Sequence, residues 1–218
     1  MFLFCCDNSN LSPNKYLKSR RRFYRGILCP PAASVVALDC EMVGTGPGGR
    51  CSALGRCSIV DYHGNVLYDK YVRPCQPVTD FRTPWSGIRR HHLHNAVPFA
   101  QAQEEILAIL EGKVVVGHSI YNDFEVLNMD HPSHMVRDTS TTRHLRRLAG
   151  FPHGRRSSLK LLANKLLNRR IQVRAVDLTS SHFLISEKIV WASRLHSGAV
   201  GRAVALQQEG SRFDSRLQ

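Results

Sequence analysis

Residues 34–41 read Ser-Val-Val-Ala-Leu-Asp-Cys-Glu. The apolar run from Val35 to Leu38 is rich in β-branched side chains, and it ends in acids, as a buried strand does on reaching a site at its edge. Strand side chains alternate between faces, so Asp39 and Glu41 point the same way at the C-terminal end of this strand. Two carboxylates side by side repel, and burial without a cation would raise at least one pKa sharply; a divalent cation with oxygen ligands turns the pair into a binding site. Asp-x-Glu on a strand is also what a surface pair or a guarded edge looks like. The apolar run in front of it argues for the interior.

Working outward, Arg56–Asp61 and Val66–Val72 are strand-like segments separated by Tyr62-His-Gly-Asn65. With the first strand they predict an antiparallel meander closed by a hairpin turn. Residues 98–110 carry apolar side chains at Phe99, Ala102, Ile106, Ile109 and Leu110, a helical spacing. Lys113–Gly117 is a short apolar strand, and 122–128 a short helix after it. Antiparallel strands that lead into a strand–helix alternation define an α/β domain with a mixed sheet. Residues 157–168 predict a further helix, capped by Ser157, with Leu159, Leu162, Ala163, Leu166 and Leu167 as its apolar stripe beside Lys160 and Lys165.

A third acid, Asp123, follows the second apolar strand. Strand ends of an open α/β sheet share a crevice, which would bring Asp123 towards Asp39 and Glu41. Three carboxylates suit Mg²⁺ or Mn²⁺, and two such ions clamp the attacking and leaving oxygens of a phosphodiester during in-line hydrolysis. Other motifs lead elsewhere. Gly44-Thr-Gly-Pro-Gly-Gly49 has dinucleotide-loop spacing, but strand-like residues rather than a helix follow it, so it reads as a loop near the site. His118 and the group His91, His92 and His94 lack partners at zinc spacing and read as structural, and Asp138 reads as a helix cap.

The chain of 218 residues, 43% of them apolar, is long enough for one sizeable core. Its formal charge of +13 resides in two segments. Residues 1–33 hold six Lys and Arg against Asp7, and residues 143–174 hold ten with no acid; the rest is near neutral. That distribution suits a polyphosphate partner. The first segment reads as a flexible basic arm for targeting or non-specific contact, and the second as a nucleic-acid contact within the domain. The seven cysteines form no Cys-x-x-Cys pair and read as reduced thiols. No stretch is apolar for long enough to span a membrane.

Several segments, taken in order, carry a resemblance: Val36-Ala-Leu-Asp-Cys-Glu-Met-Val-Gly-Thr-Gly-Pro47, Leu54-Gly-Arg-Cys-Ser-Ile-Val60, Val66-Leu-Tyr-Asp-Lys-Tyr-Val-Arg-Pro74, Trp85-Ser-Gly-Ile88 and Val114-Val-Val-Gly-His118 with Asn122-Asp-Phe124. Over about residues 34–172 the chain resembles the interferon-stimulated exonuclease family of DEDDh 3′-to-5′ exonucleases. The resemblance implies an RNase H-like fold, with a mixed five-stranded sheet flanked by helices. It implies release of nucleoside 5′-monophosphates from single-stranded RNA or DNA, with two Mg²⁺ or Mn²⁺ ions in an intact site. It assigns metal ligation to Asp39, Glu41 and Asp123, and contact with the terminal nucleotide to Met42 and Arg82. A nuclear, even nucleolar, residence follows from the family and the Lys18–Arg22 run, and a monomer is expected.

Members of that family continue into a Gly-His-Ser-Ser-Val-Glu-Asp-Ala motif that opens a last helix, whose His is the general base and whose Asp is the fourth carboxylate. This chain departs at Val173, so the last helix is absent or replaced and residues 173–218 form a divergent tail. His182, with Glu187 at the family's interval, is the candidate substitute base; the plainer reading, which we prefer, is an unrelated tail. The alternatives to an active exonuclease are a catalytically inactive nucleic-acid-binding form and a partly folded fragment.

Overall fold

The computed structural model describes residues 31–151, 157–168 and 171. The basic arm up to residue 30 and the whole tail from residue 173, His182 included, lie outside the described residues. β1 (Val35–Thr45) is the central strand: it pairs antiparallel with β2 (Cys51–Asp61) on one side and parallel with β6 (Val114–Gly117) on the other. The apolar run does not alternate in polarity because both faces are covered. Val36 and Leu38 pack with Ile59, Ala102, Ile106, Leu110 and Phe124 in the main core, while Val35 and Ala37 join Val60, Val114, Val116 and Met135 on the other side.

β2 turns into β3 (Val66–Arg73) through the expected hairpin, and the two strands are antiparallel. Asp61 organises the turn: its Oδ1 accepts the backbone N–H of His63 at 2.8 Å and of Asn65 at 2.9 Å, the Asx-turn chemistry that lets a short acid replace a backbone partner. α2 (Phe99–Leu110) buries Ala102, Ile106 and Leu110, four residues apart on one stripe. β6, α3 (Tyr121–Val126) and β7 (Val136–Asp138) then complete a strand–helix–strand unit in which β6 and β7 are parallel.

The sheet runs β3-β2-β1-β6-β7, the mixed five-stranded arrangement expected. Two short strands extend it: β5 (Val97–Pro98) beside β3, and β4 (Val78–Asp80) beside the end of β1. A four-residue helix, α1 (Thr83–Ser86), follows β4. The pair α4 (Arg143–Leu148) and α5 (Leu159–Leu167) has its own apolar cluster of Leu145, Leu162 and Leu166. On α5 Leu162, Ala163 and Leu166 of the expected stripe are buried and Leu159 and Leu167 partly so, while Lys160 and Lys165 are exposed. The cap is Ser158 rather than Ser157: its Oγ accepts the N–H of Leu161 at 3.3 Å, while Ser157 is buried. Among the described residues, no helix is long and apolar enough to cross a membrane.

Candidate active site

Asp39 and Glu41 continue the face of β1 that begins with Val35 and Ala37, and both are partly exposed where the apolar run ends. β6 is shorter than β1. Its last pairing is Ala37 with Val116, so β1 runs on beyond it with backbone groups that lack a strand neighbour on that side. The carboxylate of Asp123 takes up one of them: its Oδ1 accepts the N–H of Cys40 at 2.9 Å. Asp123, on α3 and buried, is thereby fixed at the backbone between the two acids of β1.

The turn that delivers Asp123 is tightly determined. A Cβ at Gly117 would lie 2.6 Å from Cδ1 of Ile120, so only glycine fits between strand and helix. Ser119 adopts a left-handed φ of 57°, and its N–H donates to Oδ1 of Asp138 at 2.9 Å. That oxygen also accepts the N–H of Ser140 at 2.8 Å. Asp138 is therefore a clamp between β7 and this turn, not a helix cap; the N-cap of α4 is Thr142, which makes no side-chain cap hydrogen bond. His118 has the structural role expected, with its Nδ1 2.9 Å from Oγ1 of Thr139.

A β-bulge interrupts the β1–β2 ladder between Glu41 and Met42: Glu41 faces Arg56 and Met42 faces Leu54, leaving Gly55 unpaired. A Cβ on Gly55 would stand 2.5 Å from Cδ1 of Ile88 and 3.0 Å from Cγ1 of Val43. Met42 is partly exposed at this bulge. Arg82, the other residue assigned to nucleotide contact, holds the β1–β2 loop. Its Nη2 donates to the Gly49 carbonyl and its Nη1 to the Ser52 hydroxyl, each at 2.8 Å. Its backbone N–H donates to Oδ1 of Asp80, also at 2.8 Å.

One part of the site escaped sequence reasoning. Arg56, the cross-strand partner of Glu41, is buried and makes a two-pronged ion pair with Asp69 of β3, Nε to Oδ1 at 2.8 Å and Nη2 to Oδ2 at 2.9 Å. The Ser58 hydroxyl donates to the same Oδ1 at 3.0 Å. Burial works against the guanidinium charge, but the hydrogen bond and charge of Asp69 outweigh it, with Tyr71 and Glu41 adding, so Arg56 holds its proton more tightly than a free arginine. The signal was an arginine and an aspartate inside two successive apolar strands. Cys40, between the two acids, packs against the main core, and burial first, then its hydrogen bond to Cys57 and the charges of Cys57, Asp123 and Asp39, push its thiol well up. Cys40, Cys57 and Cys75 are thiols outside any disulfide among the described residues.

The donor set has the chemistry of a hard-cation site. Asp39 and Glu41 supply carboxylate oxygens on one face, and a Mg²⁺-like ion is commonly held by one or two carboxylates, with water and substrate phosphate completing its shell. Asp123 is adjacent through Cys40, but among the described residues no three His, Cys, Asp or Glu side chains are gathered into a group that could hold a metal ion. The structure therefore places the three carboxylates around one point of β1 without closing them into a cage.

This mixed sheet with its flanking helices is an RNase H-like fold. Residues 36–177 match the Exonuclease family, and the chain belongs to it. It is 56% identical over 144 residues to the apoptosis-enhancing nuclease of Homo sapiens, covering 66% of this chain and 44% of that protein. It is 53% identical over 149 residues to interferon-stimulated 20 kDa exonuclease-like 2 of Bos taurus, covering 68% and 43%. The chain thus spans less than half the length of these curated relatives. In fold it is similar to the Pan2 catalytic unit of Neurospora crassa, with a TM-score of 0.62 at 24% identity over 84% of this chain and 31% of that one.

Proposed function

We propose that this chain is a metal-dependent 3′-to-5′ exonuclease that removes nucleoside 5′-monophosphates from single-stranded RNA or DNA. The observation that carries the reading is the fixing of Asp123 at the Cys40 amide, at 2.9 Å, between Asp39 and Glu41. Asp39 and Glu41 would hold the Mg²⁺ or Mn²⁺ ion, with Asp123 as third carboxylate. When bound, the cation supplies charge neutralisation and polarisation at the scissile phosphate. Water adds to phosphorus, the 3′-oxygen of the preceding nucleotide leaves, and the proton lost by the water goes to a base, for which His182 is the candidate. Met42, at the bulge, and Arg82 line the approach of the terminal nucleotide. The exposed Lys160 and Lys165 of α5 and the Lys18–Arg22 run support nucleic acid as partner and the nucleus, or nucleolus, as location.

A second reading is a nucleic-acid-binding form that cannot cut. It is favoured by the end of the family match at residue 177, before any His-to-Asp motif, and by the lack of a closed metal-ligating group among the described residues. Loss of a general base typically removes a factor of about 10² to 10⁴ in rate. The test is incubation of the full chain with 5′-labelled single-stranded RNA and DNA in Mn²⁺. An Asp39→Ala control and a version carrying the family's C-terminal motif run alongside. A metal-dependent ladder from the native chain that is missing in the control supports the exonuclease; cutting by the repaired version alone selects the binding form.

A further inference from the structure

Trp85 is 82% exposed, the most exposed large apolar side chain among the described residues. Its mount is rigid. The Thr83 hydroxyl donates to the Ile88 carbonyl at 2.6 Å; the Ser86 hydroxyl donates to the Phe81 carbonyl at 2.7 Å and accepts the N–H of Ile88 at 3.0 Å. Ile88 is fully buried, seated over Gly55 and close to Val43, and Arg82 ties the other end of the segment to Gly49 and Ser52. Both ends of the mount are thus anchored on the two strands that form the bulge at Glu41 and Met42. An indole held out in water on such a mount adds little to folding, yet it is pre-organised for a planar partner, with no loop left to order on binding.

The charge around it says which partner. Residues 81–103 contain Arg82, Arg89, Arg90 and three histidines and no acid. The strip also connects to the candidate active site: His92 stacks on Tyr71 with ring centroids 4.5 Å apart, and the Arg56 guanidinium lies 5.6 Å from the centre of the same Tyr71 ring. Arg56 is in turn the cross-strand partner of Glu41. A partner that is polyanionic and carries planar rings is a single-stranded nucleic acid.

We propose that Trp85 is a stacking platform for a nucleobase of the single strand, on the 5′ side of the nucleotide that occupies the active site. This rests on the exonuclease reading for its orientation and adds a subsite outside the acids. Aromatic stacking is tolerant of base identity, so the platform grips strands of any sequence, and its contribution needs a substrate long enough to reach it.

The test uses the full chain with EDTA present, so that binding is read without cleavage. A Trp191→Phe background leaves Trp85 as the sole tryptophan, and its emission is followed during titration with oligothymidylates of two and ten nucleotides. Quenching by the ten-mer is expected. Read by the anisotropy of a dye-labelled strand, Trp85→Ala should weaken ten-mer binding by about 5- to 100-fold, Trp85→Phe should retain most of it, and binding of the dinucleotide should be little affected. Equal urea midpoints for native and Trp85→Ala protein establish that folding is intact. Unquenched emission, equal ten-mer affinity for Trp85→Ala, or a dimer in sedimentation that Trp85→Ala dissolves would overturn the platform. If Trp85→Ala binds as well as native while cleavage still requires Asp39, the platform falls and the exonuclease stands. If binding needs Trp85 but no ladder forms, the platform stands and the catalytic reading falls. A native chain that binds no oligonucleotide overturns both.

Discussion

Replacing Gly55 by alanine tests whether the bulge beside Glu41 is built around an absent side chain. The added methyl would meet Cδ1 of Ile88 at 2.5 Å and Cγ1 of Val43 at 3.0 Å. Ile88 is fully buried, so it has no free space to swing into. Overpacking of this kind costs about 1–3 kcal/mol, and urea unfolding at unchanged m-value should show that loss in Gly55→Ala. The offending atom is one methyl, which identifies its own remedy. Ile88→Val removes Cδ1 and alone costs about 0.5–1.5 kcal/mol. In the double variant the new methyl occupies the space that Cδ1 leaves, so the two losses should fall short of additivity by about 1 kcal/mol. Strictly additive losses, or a Gly55→Ala protein within about 0.5 kcal/mol of native, would refute this account of the bulge.

Asp69→Leu should strand the buried guanidinium of Arg56 and cost about 3 kcal/mol, whereas Arg56→Met combined with Asp69→Leu should recover most of it; chemical denaturation of the three variants checks this. Asp123→Ala should lose about 1–3 kcal/mol by leaving the Cys40 N–H without its acceptor. Asp123→Asn keeps an acceptor and should stay near native stability, yet lose Mn²⁺ binding in calorimetric titration; if Asn binds Mn²⁺ as the native chain does, Asp123 is structural only. His131 is held below its ordinary pKa chiefly by burial, against the opposing hydrogen bond to the Lys113 carbonyl, with His134 adding to the depression. Below about pH 6.5 the unfolded chain therefore takes up a proton that the folded one resists, and stability falls as pH drops, by at most about 1.4 kcal/mol per pH unit for this group. Thermal unfolding of native and His131→Gln protein between pH 8 and 5 should show a shallower decline for the variant.

The elements legible in the sequence were those whose own residues decide them. The run Val35–Leu38 announced a buried strand, and Ala102, Ile106 and Leu110 announced the inner stripe of α2. Strand ends were less visible: β2 begins at Cys51 rather than Arg56, because its first residues are held by pairing with Val43–Thr45 and not by their own apolarity. β4, β5 and β7 are two or three residues long and exist only through their neighbours. The same limit applies to the site. Asp39 and Glu41 follow from strand alternation, but that Glu41 faces Arg56 depends on the bulge at Gly55, a matter of register. Asp138 looked like a cap because it precedes a helix; its carboxylate turns instead to Ser119, whose left-handed backbone no local pattern announces.

β1 is covered on both faces between Val35 and Leu38 and paired on both sides at Val36 and Ala37, and the acids stand on the continuation of that strand, where β2 still pairs with it. Amide protons in such a strand exchange with solvent only when the whole domain opens. Asp39 and Glu41 stand just past that stretch, opposite Ser58 and Arg56 of β2, so their spacing is set by a strand whose base opens only with the fold.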